Sequence, residues 1–184
     1  MRQVVAEVKP DILHAHSPGL NGVAALRAGA RFRLPVVYEV RAFWEDAAVD
    51  HGTSKEWGVR YRLTRRLETY VLERADAITT ICEGLRSDII DRGIAAHKVT
   101  VIPNAVDAER FSMNGQADPE LQARLGIAGK TVLGFIGSFY AYEGLILLLE
   151  AMPGVLEEIP DVRVLLVGGG PQEGRLRERV DELG

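Results

Sequence analysis

Short apolar runs, bounded by Pro, Gly or Asp, alternate along this chain with longer amphipathic segments, and that rhythm restricts the fold more than any other feature. Residues 12–15 follow Pro10-Asp11, residues 36–40 follow Pro35, residues 77–81 follow Asp76, and residues 99–102 stop at Pro103. Residues 131–136 and 162–167 form two further runs. Their β-branched content predicts strands, and apolar residues on both faces predict strands buried in parallel sheets. The intervening periodicity predicts helices over 20–29, 57–74, 83–92, 143–158 and 172–183. The second of these places Leu63, Leu67, Tyr70 and Val71 on one stripe, and the third ends at Gly93, a C-terminal capping glycine. Pro153 is expected to kink or divide the fourth. Pro171, after Gly168-Gly169-Gly170, is expected at the first helical position of the last. Strand–helix alternation of this kind predicts an α/β fold with right-handed crossovers.

One stretch departs from the rhythm. Residues 108–130 contain Asn114-Gly115, Asp118-Pro119, Gly126 and Gly129, with a short helical piece at 119–125. The stretch reads as a linker between a first lobe at 1–107 and a second at 131–184.

Composition narrows the function. Of 184 residues, 47% are hydrophobic and 26% charged, the balance of a core-forming soluble protein rather than a disordered one. A net charge of −4 argues against nucleic acid as a partner, because phosphate binding requires a basic face. The one cysteine, Cys82, excludes an internal disulfide and a thiolate metal cage. The run Leu145–Leu149 is too short to span a bilayer, and residues 1–20 lack the basic start and apolar core of a signal peptide, so the expected compartment is the cytoplasm.

Several polar groups interrupt the strand ends, where open parallel sheets bind ligands. In Asp11–Pro18, His16 is placed to donate to a substrate hydroxyl or phosphate, or else to satisfy nearby carbonyls. His14 and His16 are expected on opposite strand faces, which would make them poor joint metal ligands. In Tyr38–Asp46, Glu39 and Arg41 share a face and can pair. They suit sugar or phosphate binding, with Trp44 as a stacking platform, and equally suit a structural pair. Arg60, Arg62, Arg65, Arg66 and Arg74 against Glu68 and Glu73 make a basic amphipathic helix that fits an anionic membrane surface or a solvated face. Asn104 and Asp107 fix the turn leaving the fourth strand. Gly134–Tyr140 and Gly168–Pro171 are strand-to-helix turns whose N–H groups can hold a diphosphate. Neither is Gly-x-Gly-x-x-Gly or a P-loop. No Ser-His-Asp order and no poised carboxylate pair stands out.

Taken in order, segments 11–18, 38–46, 76–84, 102–107, 132–144 and 164–171 resemble the retaining GT-B glycosyltransferases that use nucleotide-sugar donors, the glycosyltransferase family 4-like, group 1 enzymes. The resemblance spans nearly the whole chain. The string Gly137–Gly144 is most similar to the branch associated with exosortase A and exopolysaccharide gene clusters. The resemblance implies two Rossmann-like lobes with parallel sheets, both incomplete. It implies sugar transfer from a nucleotide-sugar co-substrate to a lipid-linked or saccharide acceptor in exopolysaccharide or cell-surface glycan synthesis. It places His16 at the transferred sugar as the catalytic residue, Glu39 and Arg41 on the acceptor side, and Gly137, Ser138, Gly168 and Gly169 at the donor. It implies no metal and no cofactor, since no Asp-x-Asp motif occurs, and a peripheral location at the inner membrane.

The same resemblance marks departures. Two full lobes need on the order of 300–400 residues, so the chain is read as an internal fragment, inactive alone. Many relatives carry Arg and Lys at the positions of Ser138 and Glu143, where cations would clamp the diphosphate. A non-catalytic fragment or pseudoenzyme, and a small-ligand-binding α/β module, are the alternative readings.

Overall fold

β-branched runs make the strands and the amphipathic segments between them make the helices. A computed structural model describes the chain except Met1, residues 112–114 and residue 116. Asn114, expected in the linker, therefore lies outside the described residues. The chain divides into two units, Met1–Val106 and Asp107–Gly184.

The first unit runs α1 (Arg2–Val8), β1 (Leu13–His16), α2 (Gly19–Phe32), β2 (Val36–Val40), α3 (Trp44–Asp50), α4 (Val59–Arg74), β3 (Ala77–Thr80), α5 (Glu83–Asp91) and β4 (Val99–Val101). The strands form one parallel sheet in the order β1-β2-β3-β4. Leu13, Ala15, Val36, Tyr38, Val40, Ile78 and Val99 face the core with Ala25 and Ala28 of α2, Val71 and Leu72 of α4, and Ile89 of α5. Burial alternates strictly along β1 and β2, so the expectation of strands buried on both faces is corrected. The period of two sends one set of side chains under the helices, and the other set, including His14, His16 and Glu39, stays more open.

Helices α2 and α4 cross closely. A Cβ added at Gly22 would sit 2.3 Å from Val71 Cγ1, so only glycine fits the crossing without a shift. The buried face of α4 is Tyr61, Glu68, Val71 and Leu72, whereas Leu63 and Tyr70 of the expected stripe are exposed. The short helices α1 and α3 escape the sequence periodicity, each being only 7 residues long. Gly93, at φ 92°, follows the end of α5 and donates its N–H to the Ile90 carbonyl.

The second unit contains α6 (Pro119–Leu125), β5 (Thr131–Ser138), α7 (Leu145–Glu158), β6 (Val162–Gly169) and α8 (Glu173–Leu183). The Asp118 carboxylate caps α6 by accepting from the N–H groups of Glu120 and Leu121. β5 and β6 pair in parallel from Thr131↔Val162 to Ser138↔Gly169. Their core is Phe139, Leu145, Leu149 and Leu176. Helix α7 runs through Pro153 undivided, because the ring removes one N–H while the bonds on either side persist. Pro171 lies in the turn before α8, whose N-cap is Gln172, rather than at the first helical position. Among the described residues no helix is long and apolar enough to cross a membrane.

Candidate functional site at the strand ends

The carboxyl ends of β1 and β2 gather the polar groups of the first unit. In register, His16 lies opposite Glu39, and Glu39 opposite Thr79. His14 and His16, two residues apart, share the open face of β1, which corrects the expectation of opposite faces. Their rings stack with centroids 4.9 Å apart and 19° between planes. His14 Nε2 lies 3.1 Å from Glu39 Oε2, and His16 Nδ1 lies 3.6 Å from Glu39 Oε1. Arg41 Nε stands 3.9 Å from the same Oε1, and Arg41 Nη2 donates to Asn104 Oδ1 at 3.5 Å. Beside them is a cavity of about 310 Å³ lined by His14, Glu39, Thr79, Thr80 and Asn104, among others. The Thr79 hydroxyl is buried and makes no protein hydrogen bond.

His16, Glu39 and Arg41, singled out in the sequence, thus converge. His14 joins them, and Asn104 joins from the turn after β4. Trp44 does not line the cavity; it opens α3 and is half exposed. One carboxylate, two imidazoles and a guanidinium on one open edge can bind hydroxyls, phosphate or a metal, the last through His14, His16 and Glu39, whose ligand atoms lie within 4.8 Å of one another.

Behind this edge lie buried charges that the sequence did not single out. Glu68 Oε2 accepts the Gly19 N–H at 2.7 Å, and Oε1 accepts the Tyr38 hydroxyl at 2.5 Å. Burial pushes the Glu68 carboxyl above its usual range, against the opposing effect of those two hydrogen bonds. Burial, then the adjacent Glu68, push the Tyr38 hydroxyl well above the ordinary phenol range, so it stays a donor. Burial, then the hydrogen bond it donates to Asp46, push Tyr61 up to about 12. Glu45 and Arg92 pair at 2.7 Å with both side chains buried, and the guanidinium lies 3.5 Å above the Phe43 ring centroid. Glu68 sits on α4 one turn before the buried Val71 and Leu72, and that shared face is the signal available in the sequence.

In the second unit, the strand ends bring Gly137 opposite Gly168 and Ser138 opposite Gly169. Gly168 has φ 147°, and a Cβ there would lie 1.9 Å from the Gly137 carbonyl oxygen. Glycine at this place lets the two strand ends touch. Ser138 is exposed. Glu143 is exposed too, in a 3₁₀ turn (Ala141–Glu143) before Gly144. Gly144 caps α7, so Glu143 precedes that helix rather than occupying its first turn. The candidate residues therefore form two groups, one in each unit.

Residues 1–110 match the model of Glycosyltransferase Family 4, and residues 130–184 match that of Glycosyl transferases group 1. The chain belongs to glycosyltransferase family 4. It is 28% identical over 178 residues to the 2-deoxystreptamine glucosyltransferase of Streptomyces kanamyceticus, covering 95% of this chain and 46% of that protein. It is 30% identical to the D-inositol 3-phosphate glycosyltransferase of Corynebacterium urealyticum, covering 95% and 43%. Among solved structures, HepE of Anabaena in complex with UDP-glucose superposes with a TM-score of 0.76 at 22% identity, covering 100% of this chain and 47% of that one. Sucrose-phosphate synthase of Thermosynechococcus elongatus gives 0.69 at 21% identity, covering 99% and 44%. The family 4 chain has an α/β fold of the GT-B type, and it spans a little under half the length of the relatives it matches.

Proposed function

We propose that the chain supplies parts of both lobes of a retaining glycosyltransferase that moves a sugar from a nucleotide-sugar to a lipid-linked or saccharide acceptor. The convergence of His16, Glu39 and Arg41 at the strand ends carries the reading, because it offers hydrogen-bond partners for sugar hydroxyls beside a cavity at the edge where parallel sheets bind ligands. His16 faces the transferred sugar, and Glu39 with Arg41 shape the acceptor side. Gly137, Ser138, Gly168 and Gly169 approach the donor diphosphate through backbone N–H groups. The complex of HepE with UDP-glucose supports a nucleotide-sugar as donor. Exopolysaccharide or cell-surface glycan synthesis, cytoplasmic and peripheral at a membrane, is the setting we infer. The reading invokes no metal or cofactor: backbone N–H groups at the two glycine-rich turns would stabilise the leaving diphosphate, and the clamping cations of relatives are replaced here by Ser138 and Glu143.

A second, non-catalytic reading draws on Glu143, an exposed carboxylate that would repel a nearby diphosphate. Nuclear magnetic resonance titration of the chain with UDP-glucose and GDP-mannose tests the proposal. The N–H signals of Gly137, Ser138, Gly168 and Gly169 are expected to shift, with no sugar transferred by these 184 residues alone. Unmoved signals at all four glycine and serine positions would overturn the donor assignment, and turnover would overturn the expected inactivity.

A further inference from the structure

We propose that His14, His16 and Glu39 form a binding site for one divalent transition-metal ion of the zinc type. Two imidazole nitrogens and a carboxylate are the donor set that zinc, cobalt and nickel accept and that magnesium and calcium, which favour all-oxygen sites, do not. A tetrahedral ion with ligand bonds of about 2.0–2.2 Å holds its ligand atoms about 3.3 Å apart. His14 Nε2 lies 3.1 Å from Glu39 Oε2 and His16 Nδ1 lies 3.6 Å from the other oxygen, Oε1, and with one ligand atom taken from each residue the three lie within 4.8 Å of one another, so the side chains close by up to about 1.5 Å around the ion. The histidine side chains are about half exposed, at 48% and 52%, so solvent leaves room for the rings to turn toward a shared ion. Both histidines come from one strand and the carboxylate from its hydrogen-bonded neighbour, so the backbone register fixes the spacing. Three protein ligands on an open sheet edge leave a fourth position for water, as in zinc sites with an exchangeable ligand.

One feature of the cluster opposes the ion. Arg41 stands 3.9 Å from the Glu39 carboxylate and competes for its charge. Removing that arginine should therefore strengthen binding, and dependence on all three ligands is what distinguishes the site from a single surface histidine. The site itself does not depend on the transferase reading. Occupancy would draw His16 and Glu39 away from a sugar, so zinc would also inhibit if that reading holds.

The test is calorimetric titration of the chelator-stripped chain with Zn²⁺ and with Mg²⁺, with visible absorption of bound Co²⁺ as a second readout. One Zn²⁺ per chain is expected, with Mg²⁺ at least tenfold weaker. His16→Gln and Glu39→Gln should each weaken Zn²⁺ by roughly tenfold or more. Arg41→Ala should tighten it, and Cys82→Ser and His97→Gln should leave it unchanged. Circular dichroism of each variant checks the fold. Absence of Zn²⁺ binding, equal affinity for Mg²⁺, or Zn²⁺ affinity that survives His14→Gln combined with His16→Gln would overturn the proposal.

Discussion

Glu68 is the residue where burial and hydrogen bonding oppose each other most directly. Its carboxyl is 1% exposed, yet it accepts from the first N–H of α2 and from the Tyr38 hydroxyl. Burial dominates and raises its pKa, so the folded chain holds this proton more tightly than the unfolded chain does. Stability from this group is then fully present below the ordinary carboxylate range and is lost as pH rises through the raised value. Urea melts across that window should show stability falling with pH in the native protein. In Glu68→Gln, which keeps the bulk and cannot ionise, the decline should flatten; an unchanged slope would assign the pH dependence elsewhere. The sequence revealed His16, Glu39 and Arg41 because polar residues at strand ends interrupt apolar runs. It concealed Glu68, because a carboxylate among arginines on a helix reads as solvated. Its hydrogen-bond partners, the Gly19 N–H and the Tyr38 hydroxyl, come from 49 and 30 residues away. His14 shares a face with His16, against the expectation of opposite faces, because the strand period of two puts residues i and i+2 on the same side.

At the scale of elements, α4 shows which part of a helix a sequence can specify. Its extent was legible, since the expected 57–74 contains the observed Val59–Arg74. Its orientation was not. Successive residues turn by about 100°, so Leu63 and Tyr70 lie about 200° round the helix from Tyr61 and Glu68. Packing against Tyr38 and α2 selects the Tyr61–Glu68 face, and Val59, Leu63 and Tyr70 are left 78%, 62% and 43% exposed. Arg62 and Arg66 are exposed on the same helix, and Arg65 lies 5.6 Å over the half-exposed Trp57. Exposed apolar side chains with arginines among them, and a half-exposed tryptophan just before the helix, would suit a helix lying on an anionic bilayer as well as a solvated face. Each basic residue near such a surface contributes about 1 kcal/mol, so Arg62→Glu with Arg66→Glu should weaken partition into phosphatidylserine vesicles by roughly thirtyfold or more. Added salt should weaken the native protein as well. Co-sedimentation measures both, and native protein that ignores the vesicles, or a charge-reversed variant that binds equally, would leave the helix as a solvated face.

The whole chain joins two units whose cores differ in size more than their sequences suggest. The run 131–136 reads as apolar as 36–40, and both became strands. Burial, however, depends on how many elements pack around a strand, which a local pattern does not report. Among the described residues, the first unit's core gathers sixteen buried side chains from α1, all four strands, α2, α4, α5 and adjoining turns. The second unit's core gathers four. Its sheet has two strands, and Val132, Leu133, Ile136 and Val167 remain 37%, 38%, 84% and 45% exposed. Each fully buried aliphatic or aromatic side chain contributes about 1.5–3 kcal/mol, while ordering each residue's backbone costs about 1–2 kcal/mol. Even with the buried Met152 and Val162 added to these four, such side chains are few for a unit of this length, and a two-stranded sheet is marginal by itself. The first unit should therefore outlast the second on heating. Hydrogen exchange followed by mass spectrometry should show amides of β5 and β6 opening at lower free energy than those of β2, β3 and α4. Thermal unfolding should follow two steps, the Trp44 and Trp57 fluorescence of the first unit changing in the later one. Coincident transitions with equal protection in both sheets would mean that the exposed apolar strands of the second unit share the stability of the first.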